Sequence, residues 1–108
     1  MIQKLTPDGY REMLPGITMQ TLCHGDKTLM VKFQLTKGSE IPMHSHPHEQ
    51  TGYLVSGHVI FVTETDEFDT TPGDNWCFLG DERHSVRILE NSVIVEVFSP
   101  VRDEYLAE

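Results

Sequence analysis

Basic residues are scarce in this 108-residue chain: Lys and Arg total 8 against 17 Asp and Glu, a formal net charge of −9. The eight are scattered, which argues against a nucleic-acid partner, because phosphate binding needs clustered Lys and Arg. Anionic lipid is disfavoured on the same ground. Cysteine is nearly absent. Cys23 and Cys77 are too few for a disulfide framework and lack CxxC spacing, so both are expected as free thiols in strands. No run approaches the ~20 apolar residues of a membrane span, and the N-terminal MIQKLTPDGYREMLPG has no apolar signal core. A cytoplasmic protein without a membrane partner is expected. Repeats, low-complexity linkers and long helical periods are missing too. Residues 1–108 are therefore expected to form a single domain. A chain of this length buries roughly two-thirds of its unfolded surface, enough for a core without staples.

What remains is alternation of period two. TLMVKFQLT at 28–36 puts Leu29, Val31, Phe33 and Leu35 on one face and Met30, Lys32, Gln34 and Thr36 on the other. HVIFVTET at 58–65, NWCFL at 75–79, HSVRIL at 84–89 and SVIVEVF at 92–98 read as further short strands. Turn signals at 24–27, 37–42, 56–57, 71–74, 79–82 and 90–91 separate them. Residues 7–15 and 100–106 are each expected to form a helical turn. Many short strands at close spacing imply an all-β sandwich or barrel.

The chemistry-bearing stretch is HSHPHEQ at 44–50. His44 and His46 are two apart, and on a strand they face the same way, so two imidazoles can converge on one cation. Pro47 cannot donate to a ladder, so His48 need not share that face. A third histidine, His84, follows the LGDER turn, and in a barrel two such strands can lie side by side. Six histidines is a high count for this length, and HxH alone reads equally well as surface histidines.

The flanks decide between these readings. GSEIPMHSHPHEQTGYLVSG, from Gly38 to Gly57, resembles the first cupin motif, with His44, His46 and both glycines in register and Gln50 at the position of the motif's carboxylate. GDNWCFLGDERHSVRI at 73–88 resembles the second motif, with Gly73 opening it and His84 as its metal histidine. Leu79 stands where the family usually has proline, Asp81 where it has glycine and Ile88 where it has asparagine. These are turn and packing positions, not metal positions. The resemblance implies a double-stranded β-helix, the RmlC-like jelly-roll barrel, with a core over about 17–99. It also implies a divalent transition metal held by His44, His46, Gln50 and His84. Three imidazoles and one oxygen suit Ni, Zn, Fe, Mn or Cu, and affinity order does not choose among them. An amide in place of a carboxylate leaves the cation's charge under-neutralised, which favours a small anionic substrate such as a sugar acid or keto acid. Glu49 should point to the opposite face and be solvated.

SVIVEVFSP alternates Val93, Val95 and Val97 with Ile94, Glu96 and Phe98. If the second face lines the barrel mouth, Glu96 is a carboxylate in an apolar cavity near a cation, a natural general acid or base. EVFSPVRDEYL, taken with HSHPHEQTGYLVSG, is similar to the single-domain cupins of the pectin-degradation family. That resemblance implies ring opening and ketonisation of unsaturated uronates, with Glu96, Phe98 and Arg102 at the catalytic positions and Arg102 available to the substrate carboxylate. The family's acid is typically aspartate, and Glu96 is one methylene longer. A structural salt bridge is an equal reading of Arg102, and a stacking role in the barrel wall is the default for Tyr53. Two other functions fit the same residues: a metal-dependent dioxygenase, and a non-catalytic small-molecule binder. The apolar strands leave an edge that a homodimer would cover.

Overall fold

The computed structural model describes residues 1–106. Eight strands follow in chain order: β1 (Tyr10–Leu14), β2 (Ile17–His24), β3 (Leu29–Leu35), β4 (Glu40–His44), β5 (Glu49–Thr63), β6 (Glu67–Thr70), β7 (Asn75–Phe78) and β8 (His84–Ser99). A 3₁₀ turn at Asp103–Tyr105 lies within the expected helical turn at 100–106. Every pairing is antiparallel. β5 and β8 form the spine and pair along their whole lengths. The first part of β5 also carries β7, and its last part carries β6. The last part of β8 carries β3, and β2 and β1 beyond it; its first part carries β4. This is the double-stranded β-helix, all-β as expected. No helix among the described residues is long and apolar enough to cross a membrane.

The alternation sets what is inside. Leu29, Val31, Phe33 and Leu35 of β3 are buried, as are Ile94 and Phe98 of β8 and Val59 and Phe61 of β5. Full burial of each such side chain contributes about 1.5–3 kcal/mol before entropy is counted. Val93, Val95 and Val97 take the outer face and are half-buried. Tyr53 also points outward, about half exposed, and is not part of a packed wall. Cys23 and Cys77 are free and lie in β2 and β7.

Three local expectations are corrected. Residues 10–14 are a strand, not a helical turn: Pro15 and Gly16 close a two-residue hairpin that sets Leu14 against Ile17, with Gly16 at φ +79°. The signals at 56–57 and 90–91 are not turns. They lie inside β5 and β8, where the pairing slips between Leu54 and Val59. These are bulges that bend the spine from one part of the barrel to the other. Gly57, at φ +100°, allows the bend, since a Cβ there would lie 2.5 Å from the Asn91 carbonyl oxygen. Ser92 Oγ fills the gap, accepting from His58 N at 3.0 Å and donating to Glu90 O at 2.7 Å.

Candidate metal centre

His44 ends β4 and His84 begins β8, directly paired in register. Among the described residues β4 pairs only with β8, so it is an edge that tolerates Pro42. His46 sits in the loop after β4, and Gln50 is the second residue of β5. A turn ties the two histidine-bearing segments together: Asp81 N donates to His46 O at 2.7 Å. Asp81 is the one non-glycine residue with positive φ among the described residues, at +66°. It stands where the motif usually has glycine, so the left-handed conformation persists and is filled by a residue type that tolerates it.

The three imidazoles converge. Ring centroids are 4.3 Å apart for His44 and His84, 5.5 Å for His46 and His84, and 5.7 Å for His44 and His46. One ligand nitrogen from each lies within 4.8 Å of the others. In each ring Nδ1 faces a backbone carbonyl: Pro42 O at 2.8 Å for His44, His48 O at 2.9 Å for His46 and Glu82 O at 2.9 Å for His84. Nδ1–H donation to a carbonyl fixes the tautomer and leaves Nε2 as the free lone pair, the usual arrangement of metal-binding histidines. Nε2 of His46 and His84 and Oε1 of Gln50 are buried acceptors with no hydrogen-bond partner among the described residues. Burying such atoms unsatisfied costs about 1–3 kcal/mol each, so a bound cation is the economical explanation of this donor set. His48 lends its carbonyl to His46 and stands outside the cluster, and Glu49 is exposed.

Glu96 lies beside this cluster on the inner face of β8, 5% exposed. Its Oε2 accepts from Gln50 Nε2, which turns the amide so that Oε1 is the atom left free. Trp76 Nε1 donates to the same Oε2 at 2.9 Å. Burial pushes the carboxyl up to about 7, against the smaller opposing pull of Trp76, Gln50 and Arg102. Burial also lowers His46, and takes His84 down to about 4. Phe98 packs edge-on to His46 at 5.7 Å, and Phe78 stacks flat on His84 at 4.2 Å. Arg102 bonds Glu104 Oε1 through Nε at 2.9 Å, with its guanidinium 4.1 Å above the Tyr105 ring. It nevertheless lines a cavity of about 70 Å³ together with His44, Gln50, His84, Glu96 and Phe98. Trp76 and Tyr105 are neighbours of the site that the sequence reading did not single out. The only tryptophan in the chain was the available signal for the first.

These shifts give opposite pH slopes to the metal-free protein. The Glu96 carboxyl keeps its proton in the fold up to about 7, while in the unfolded chain it ionises near 4.5, so stability falls as pH rises through that window. Neutral His84 stays neutral down to about 4 while the unfolded histidine protonates near 6.5, so stability falls as pH drops through that window. Each contribution is on the order of 3 kcal/mol. Urea unfolding of chelator-treated Glu96→Gln is expected to show only the histidine slope, gaining about 3 kcal/mol relative to wild type between pH 4.5 and 8. Parallel stability curves for the two proteins would contradict the burial assigned to Glu96.

The comparisons with known proteins agree with this geometry. The family model described as "Cupin domain" matches residues 31–99. The pectin degradation protein KdgF of Dickeya dadantii (strain 3937) is 30% identical over 99 residues, covering 90% of each chain. The solved structure of KdgF from Halomonas sp. superposes with a TM-score of 0.86 at 28% identity, covering 90% of this chain and 92% of that one. An RmlC-like cupin from Shewanella frigidimarina NCIMB 400 gives 0.85 at 24% identity, covering 90% and 87%, a likeness of fold. With the motif register, the barrel and the imidazole cluster in agreement, the chain belongs to the cupin family, among the small cupins related to the pectin degradation protein KdgF.

Proposed function

We propose that this protein is a metal-dependent isomerase that opens and ketonises the ring of an unsaturated monouronate. The observation that carries the reading is the contact between Gln50 and Glu96, which puts a buried carboxylate one amide away from three converging imidazoles. The relationship to a pectin degradation protein supports the substrate class. His44, His46, His84 and Gln50 would hold the cation, which supplies a Lewis acid when bound. The reaction is a net isomerisation. The bond between the anomeric carbon and the ring oxygen breaks, and carbonyls form at both of its former ends. One hydrogen moves from the anomeric hydroxyl to the alkene carbon that becomes a methylene. No oxidant or co-reactant is consumed. Glu96 takes the hydroxyl proton and returns it to carbon, a task open to a buried carboxyl whose Oε1 receives no donor among the described residues. Arg102 pairs with the uronate carboxylate after releasing Glu104, and Phe98 keeps the wall apolar. The cavity of about 70 Å³ is smaller than the ~300 Å³ and more of an ordinary ligand pocket, so a sugar ring needs its lining side chains to yield.

The test is elemental analysis of the purified protein followed by an assay on unsaturated monouronates under air and under nitrogen. Turnover in both supports the isomerase. Oxygen uptake with turnover lost under nitrogen would replace it with a dioxygenase, and tight uronate binding without turnover would replace it with a binding module. A homodimer belongs to the same reading. Tyr53 and Val55 are half exposed on the outer face of β5 beside the outward valines of β8, an apolar patch that a second copy would cover. Light scattering should return twice the chain mass, and a monomer at micromolar concentration would refute it.

A further inference from the structure

The Glu96 carboxylate is held on one side only. Trp76 Nε1 and Gln50 Nε2 both donate to Oε2, while Oε1 receives no donor among the described residues. The two donors come from different strands. Trp76 is on β7, and β5 runs between β7 and β8, with Gly52 of β5 opposite Trp76 on one side and opposite Glu96 on the other. Gly52 shares the inner face with Gln50 and Leu54, both buried. A Cβ at Gly52 would fall inside the van der Waals shell of the indole, against its Nε1, Cε2 and Cζ2 atoms. The indole therefore lies across bare backbone and reaches over a whole strand to Glu96. Phe61 packs against it from within the barrel at 4.5 Å between ring centroids and sets its tilt.

We infer that Trp76, seated on Gly52, is a positioning residue that pins Oε2 of Glu96 and so selects Oε1 as the oxygen offered to substrate. It acts through Glu96 and does not itself touch the reacting atoms. The inference rests on the proposed role of Glu96 in moving the proton. Two donors on one oxygen also fix the carboxylate plane, which a glutamate with three rotatable side-chain bonds does not hold unaided. Misplacement on the order of 1 Å costs about a hundredfold in rate.

Trp76→Phe keeps an aromatic ring and removes the donor. It is expected to lower kcat roughly tenfold to a hundredfold, with KM within about twofold and metal content unchanged. Gly52→Ala, which displaces the indole without removing it, should lower kcat in the same way. A second readout is independent of turnover. The chain has one tryptophan, so the metal-free protein gives one indole N–H resonance. That resonance should move on Glu96→Gln and on Gly52→Ala. Wild-type kcat in Trp76→Phe, or an indole resonance indifferent to Glu96→Gln, would overturn the inference. If wild type turns over no uronate, the proposed function fails by itself, and the indole resonance still decides whether Trp76 holds Glu96.

Discussion

Glu96→Gln is expected to reduce turnover of an unsaturated monouronate by about a hundredfold to ten-thousandfold, the usual worth of a positioned general acid–base group. The substitution is close to isosteric. A glutamine at this position still offers one oxygen to Trp76 Nε1 and Gln50 Nε2, so the local hydrogen bonds survive. What disappears is the capacity to accept and return a proton. The loss should therefore appear in kcat, with metal content and fold intact. Steady-state kinetics on metal-replete protein checks it. Retained turnover would remove Glu96 from the chemistry and favour a site that only binds.

His84→Ala is expected to release the metal. The histidine cluster falls from three imidazoles to two, a loss greater than the ~10–100-fold in affinity that follows removal of an outer partner. His84 is 3% exposed and stacked on Phe78, so the truncation also leaves a cavity beside that ring. The cost of that cavity is partly offset, because the neutral imidazole that burial forces on the fold is gone too. His44→Ala removes a less buried imidazole and tests the same assignment with less disturbance of the core. Metal-to-protein ratios after dialysis report both variants. Full occupancy in the two of them would overturn the ligand set.

Alternation made β3 and the end of β8 readable, because one residue in two there is a large apolar side chain. β1, β2, β4 and β6 escaped the reading for lack of that contrast. β2 carries ITMQTLCH, in which Gln20 is buried and a bulge at Thr21–Cys23 shifts the faces. Glycine at 57 and asparagine at 91 look alike in a reversing turn and in a bulge, and only pairing partners distinguish the two. For the site, the resemblance to the two cupin motifs pointed to His44, His46, Gln50 and His84, since motif register is a property of one dimension. Trp76 became a neighbour of Glu96 through strand order, which no local pattern encodes, whereas Tyr105 meets Arg102 within one 3₁₀ turn that has no apolar alternation to mark it.

In the proposed mechanism the Gln50 amide separates two duties that a single carboxylate would have to share. A glutamate bound to a cation gives up its negative charge to that bond, and it cannot accept a proton without loosening its grip. Here the oxygen faces the imidazoles while the amide nitrogen faces Glu96. The negative charge is held back by the length of one amide, still close enough to polarise it. In the proposed mechanism Glu96 can therefore gain and lose its proton repeatedly while the ligand set stays whole. On the proposed function, a neutral ligand acts as a spacer between coordination and proton traffic, and the site's net charge becomes adjustable within a catalytic cycle.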